Sequence, residues 1–193
     1  MKSIRINLVC AALALSFLLG SCAKPPTEEM NNAVEAVTRA ENNADAVMYA
    51  ANTLARARDA LNRMKAEADS KRYDAAKTYA SEAVTAAERA IADGRAGAER
   101  AREEAAAMVA GLNPAIAETE QGINAARTAR LPLDFTGLEQ EFAAARDSAD
   151  RAEVALADGR YQDALDNCRN AQADLSDINH KLSDAAMAVS RKK

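Results

Sequence analysis

Tryptophan is missing from this sequence altogether, histidine occurs once, and aromatic residues make up 4% of the chain. There is little bulk with which to fill a thick globular core. Strand signals are also missing, since no stretch alternates β-branched or aromatic residues with polar ones between turn residues. The sequence holds no glycine-rich phosphate loop, no His-Glu-x-x-His and no Cys-x-x-Cys. A single histidine, His180, cannot build a zinc site, which takes three or four protein ligands. Of three cysteines, Cys10 falls inside an apolar leader and Cys22 at its end, so Cys168 alone is left as a free thiol and no intramolecular disulfide can form. The expectation is a protein with no cofactor, no metal and no enzymatic activity.

An excess of positive charge is lacking too. Lys2 and Arg5 are the only charged residues of the leader; without them 23 basic residues face 29 acidic ones, a net charge of −6. Such a surface is repelled by nucleic-acid phosphates, and nucleic-acid binding is not expected. What the chain does have is alanine, which accounts for much of its 49% hydrophobic content. Alanine is the best helix former, and Lys, Arg and Glu fill most of the remaining positions. Thin cores of small residues favour long helices packed close together, and the length suits one domain.

Lys2 and Arg5 precede an apolar run, Leu8 to Leu19, broken only by Ser16. The run is too short to span a bilayer and has the charge, length and small-residue exit of a secretory signal. Its end, Leu19-Gly20-Ser21-Cys22, resembles the lipobox of bacterial lipoproteins. The resemblance implies diacylglyceryl transfer to the Cys22 thiol, cleavage before Cys22 and acylation of the new amine. Ala23, rather than an Asp, follows the cysteine, and by the same resemblance this favours the outer membrane. Residues 1–21 are thus expected to be a cleaved signal peptide and 22–27 a lipid-anchored spacer, stiffened by Pro25 and Pro26.

Beyond the spacer the periodicity predicts an elongated all-α, up-down-up-down antiparallel bundle. Thr27 is placed to cap a first helix over about 28–69, with acidic Glu28 and Glu29 in its first turn. Its stripe is Ala33, Val37, Ala40, Ala44, Val47, Ala51, Leu54, Ala57, Leu61, Met64 and Ala68, a coiled-coil spacing. Asn42-Asn43 and Asn52-Thr53 are places for a bend. Ser70-Lys71-Arg72 reverses the chain, and a second helix from Tyr73 carries a stripe made almost wholly of Ala and Gly, from Ala76 through Gly94 and Gly97 to Leu112. The first hairpin is therefore 28–112. Gly111-Leu112-Asn113-Pro114 reads as a helix end, with Asn113 as the next cap and Pro114 in a first turn. A connecting helix and proline break occupy 113–133, and a second hairpin, capped by Asp134 or Thr136, occupies 134–193 with its reversal at Asp158-Gly159-Arg160.

The two hairpins repeat one another. Arg58-Asp59 and Arg146-Asp147, Arg63 and Arg151, Arg72-Tyr73 and Arg160-Tyr161, and Ala76 and Ala164 match at one constant offset. Arg72, Tyr73, Gly159, Arg160 and Tyr161 are accordingly the residues expected to build equivalent turns, the tyrosines bracing them. The stretch from Gly159 to Ala171 looks like a tetratricopeptide hairpin, without that family's period.

The lipobox, the Ala-rich helix, and Leu54-x-x-Ala57-Arg58-x-x-Leu61 before Lys71-Arg72-Tyr73-x-x-Ala76 together resemble an uncharacterised family of Ala-rich helical bacterial envelope lipoproteins, over about residues 22–110. The resemblance implies no catalytic residues. Some members carry a peptidoglycan-binding domain after the helices, where this sequence reads as further helix. The function expected is that of a non-enzymatic spacer or protein-interaction scaffold. It would be held to the membrane of the bacterial envelope, periplasmic or surface-exposed, through its lipid anchor. Its partner would be another envelope protein, with self-association open. A surface adhesin binding host or matrix components and a carrier of lipid or hydrophobic cargo are the two readings that stand beside it.

Overall fold

The computed structural model describes residues 24–191; Leu19, Gly20, Ser21, Cys22 and the rest of the leader lie outside the described residues, as do Lys192 and Lys193. Among the described residues there are six helices and no strand: α1 (Thr27–Glu41), α2 (Ala44–Tyr49), α3 (Ala51–Asp69), α4 (Tyr73–Thr128), α5 (Phe135–Ala157) and α6 (Tyr161–Ser190). The chain divides into two compact units, Met1–Ala92 and Asp93–Lys193. Helix α4 contributes its residues up to Ala92 to the first and the remainder to the second.

In the first unit the expected helix over 28–69 is not one rod. Asn42 caps the end of α1, and the Asn43 side-chain oxygen accepts the Ala46 amide at 2.8 Å, starting α2 afresh. A side-chain amide that offers the backbone another partner competes with the helix, and here it wins. The chain then folds back. Glu41 and Arg58 stand 2.6 Å apart, whereas 17 residues of straight helix would separate them by about 25 Å. Lys77, in the first turns of α4, meets Glu29, in the first turn of α1, at 2.9 Å. The unit is thus a three-helix bundle of α1, α3 and the first part of α4, with α2 as its corner. The break also shifts the buried stripe: Ala44, Val47 and Ala51 are exposed, and Ala46 and Ala50 are buried in their place. Thr27 is not the cap either. Pro26 takes that position, and the Thr27 hydroxyl donates to the Pro25 carbonyl.

The core of this unit is Val37, Leu54 and Met64 set among alanines from all three helices, including Ala80, Ala83, Ala87 and Ala90 of α4. The Ala/Gly stripe of α4 is buried as its periodicity implies, from Ala76 to Leu112, with Met108 half-buried.

Helix α4 does not end at Gly111. It runs through Gly111 and Pro114 to Thr128, so the expected boundary at 112/113 is not a helix boundary. Proline in a helix interior costs about 3 kcal/mol and glycine about 1. Gly111, Asn113 and Pro114 all face outward, where water can serve the Ala110 carbonyl that Pro114 leaves unpaired. Meanwhile Leu112, Thr119, Ile123 and Ala126 carry the buried stripe onward. Packing overrides the local stop signal.

The second unit is again three helices. Ile123 and Ala126 of α4, Leu138, Phe142 and Ala145 of α5, and Leu175, Ile178 and Leu182 of α6 make one core cluster. Leu112, Ala149, Ala152, Cys168 and Ala171 make another. Asp134 caps α5, its carboxylate accepting the Gly137 amide at 3.2 Å.

The two units are copies of one plan, and the copy is larger than the hairpin pair read from sequence. Buried positions of α3 and α4 recur 88 residues later in α5 and α6: Leu54 and Phe142, Ala57 and Ala145, Ala80 and Cys168, Ala83 and Ala171. The first helix repeats as well, in a register 86 residues apart: Ala33 and Thr119, Val37 and Ile123, Ala40 and Ala126. The connection to the middle helix is two residues longer in the second unit. The turns match bond for bond. Arg72 and Arg160 donate their amides to Glu67 and Ala155 carbonyls, and Lys71 and Gly159 donate to Ala68 and Leu156. These are the paired closures of a Schellman turn, with the residue at C′ left-handed: Lys71 at φ 59° and Gly159 at φ 75°. Arg130, at φ 54°, closes α4 by the same pattern onto Ala126 and Arg127.

Two outcomes test this. Ala83→Leu or Ala87→Leu is expected to overpack the first core and lower stability by about 1–3 kcal/mol, with exposed Glu82→Ala close to neutral, in denaturant titrations. Gly159→Ala is expected to destabilise by about 1 kcal/mol and Lys71→Gly to stabilise by up to about 1 kcal/mol, because only the former places a Cβ into left-handed backbone.

Candidate functional site

The turn residues singled out from sequence are brought to two equivalent places, but their side chains do different things. Arg72 forms an ion pair with Glu67 that holds the Glu67 carboxyl below its usual range, chiefly through the hydrogen bond. Arg160 forks between Asp163 at 2.8 Å and Asp158 at 3.1 Å. Tyr73 and Tyr161 are both half-buried at the bundle ends, and the Tyr161 hydroxyl folds back over Gly159. The pairs Arg63–Asp59 and Arg151–Asp147 recur at 3.0 and 2.6 Å, one per copy. These are solvated braces between neighbouring turns, and water screens them.

His180 is exposed on α6, and among the described residues no group of His, Cys, Asp or Glu is arranged to hold a metal ion. Cys168 is fully buried in the second unit, and burial pushes its thiol up from the ordinary value against a small opposing pull from Arg169. A thiol held protonated inside a core is a poor nucleophile. Among the described residues the buried polar side chains are Thr119 and Ser148; the Thr119 hydroxyl accepts from Asn179 at 3.0 Å and ties α4 to α6.

Two surfaces have shape. In the first unit, Arg56, Arg63 and Arg89 line the groove between α3 and α4 together with Asp59, Glu82, Ser81 and Thr85. Arg63 stands 5.9 Å over the Tyr79 ring. Their counterparts in the second copy are Ala144, Arg151, Asp177, Asp147, Asn170, Arg169 and Ala173, so only one arginine of the trio persists there. In the second unit, an apolar groove of about 430 Å³ opens between the ends of α4 and α6. Small residues form its floor, Gly122 and Ala126 on one side and Ala186 on the other, with Leu131, Leu182 and Val189 closing it. Sequence reasoning did not find this groove. Its signal was the stripe Leu182, Ala185, Val189 running on past the last residue of α5 able to cover it.

No helix among the described residues is long and apolar enough to cross a membrane. What the helices define is an all-α protein built from two copies of a three-helix unit. Residues 28–108 match the family described as Domain of unknown function (DUF4398). That span opens in the first turn of α1 and takes in every helix of the first unit, so the expected link to an uncharacterised family is met there. No curated protein and no solved structure matches the chain.

Burial of Cys168 makes a direct prediction. In a chain carrying Cys10→Ser and Cys22→Ser, a thiol reagent should modify Cys168 no faster than the bundle opens, with full labelling only in denaturant. Rapid native-state labelling would place the thiol at the surface.

Proposed function

We propose that this protein is a non-enzymatic lipoprotein of the bacterial envelope, fastened through Cys22 and serving as a spacer or protein-interaction scaffold. The anchor reading rests on Leu19-Gly20-Ser21-Cys22 behind a cationic, apolar leader. The observation that carries the scaffold reading is the duplication. Both copies keep their buried register while their exteriors diverge, as between the arginine groove and its counterpart. A fold that holds its core and varies its faces presents surfaces, and helical bundles bind through faces and grooves. The outer membrane is the membrane favoured, from Ala23 after the cysteine. Pro25 and Pro26 set α1 back from the anchor by a short stiff link.

Cys22→Ser is expected to abolish uptake of labelled palmitate and to move the protein from the detergent phase to the aqueous phase. Several acyl chains hold far more firmly than the marginal grip of one. Unchanged partitioning together with continued palmitate uptake would defeat the anchor.

A further inference from the structure

The apolar groove of the second unit has a complement elsewhere on the same chain. We propose that one copy of this protein docks the α2 corner of its first unit into the α4/α6 groove of another copy, a head-to-tail contact.

The groove side comes first. Helix α6 carries its stripe two turns beyond Leu182, and the described residues of its own unit cover those turns only in part: Ala186 is exposed, Ala185 and Val189 are half-buried and Met187 is 45% exposed. One repeat earlier the equivalent positions Gly94, Ala98 and Ala101 are buried. The register that ends open in the second copy is therefore one that this fold otherwise covers. The rim is cationic. Arg130 follows the groove residue Ala129, Arg191 follows Ser190, and both are exposed.

The corner side follows from the break at Asn42-Asn43. Resetting the helix there turned Val47 and Met48 outward, 48% and 61% exposed, on a helix of only six residues. They are two of the five large apolar residues left exposed among those described, and they are adjacent. Asp45 stands half-buried on the same short helix, and Glu41, just before it, is shared with Arg58 of its own unit at 2.6 Å. The corner is thus an apolar knob beside the Asp45 carboxylate, and the groove is an apolar trough beside the exposed Arg130 and Arg191. An unbranched methionine suits a trough floored by glycine and alanine. Knob and groove are built from different residues, so the contact is heterologous: each copy offers one of each, and copies can add in series.

The test uses the full chain in cells, with two differently tagged copies expressed together, one carrying Met48→Cys and the other Ala186→Cys. Both sites are exposed, so neither change disturbs a core, and native Cys168 is shielded. A short bismaleimide should join the two tags, with a yield at least about tenfold above a Met48→Cys and Val154→Cys pairing, since Val154 is also exposed but lies away from the groove. Adding Ala129→Glu to the Ala186→Cys chain should abolish the product. Three results would each overturn the proposal: no product between 48 and 186, a product undiminished by Ala129→Glu, or a Met48→Cys chain that links mainly to its own kind, which marks a symmetric contact. Capture of a different protein at Ala186→Cys in place of the second copy would overturn it as well.

Discussion

Close approach of helices along alanine is the constraint on which the rest of this structure depends. A seam of Ala76, Ala80, Ala83, Ala87 and Ala90 has no side chains long enough to reach across a gap, so contact requires the partner helices to come near. Each alanine buries little area, and the stabilisation comes from many small contacts distributed along the helices. Such a seam tolerates no added volume and gains from a few larger residues placed opposite it. In the first unit these are Val37, Leu54 and Met64, on α1 and α3.

The second unit solves the same problem with the volumes moved. Its last helix carries Cys168, Leu175 and Ile178 where the first carries Ala80, Ala87 and Ala90, while its middle helix gives up Met64 for Ala152 and gains Phe142 for Leu54. Total volume and register are what a core must keep, and the identity of the helix that supplies the bulk is free to change. The part-buried Thr119–Asn179 bond is an addition of the second copy, at a position where the first has Ala33. The duplication thus preserves a packing plan and leaves the sequence around it to drift. This explains why the repeat is plain in the turns, where Arg-Tyr recurs, and faint elsewhere.

The proposed function follows from the same economy. The shaped features described in the two units are surface grooves: arginine-rich in the first unit, apolar in the second. The scaffold reading and the corner-to-groove contact both rest on what such bundles expose.

Several things could be read from the chain alone. Helix was written in alanine content and 3.6-residue periodicity. The α4, α5 and α6 seams, the turns at Lys71 and Gly159, the Asp134 cap, buried Cys168 and exposed His180 all follow from local pattern, and the structure places them so. The proposed anchor at Cys22 and its proline spacer likewise rest on sequence alone. Three-dimensional packing decided the rest, because it sets one local signal against another. Asn42-Asn43 and Gly111-Pro114 look alike as helix breakers. The first folds the chain back, since the Asn43 side chain captures the Ala46 amide and α1 then has α3 to pack on. The second is overridden, since its breakers face water while Leu112, Thr119 and Ile123 carry the core past them. Periodicity reports which face of a helix is apolar; only the partner that covers that face determines where the helix ends, which turns remain uncovered, and therefore where a groove is left.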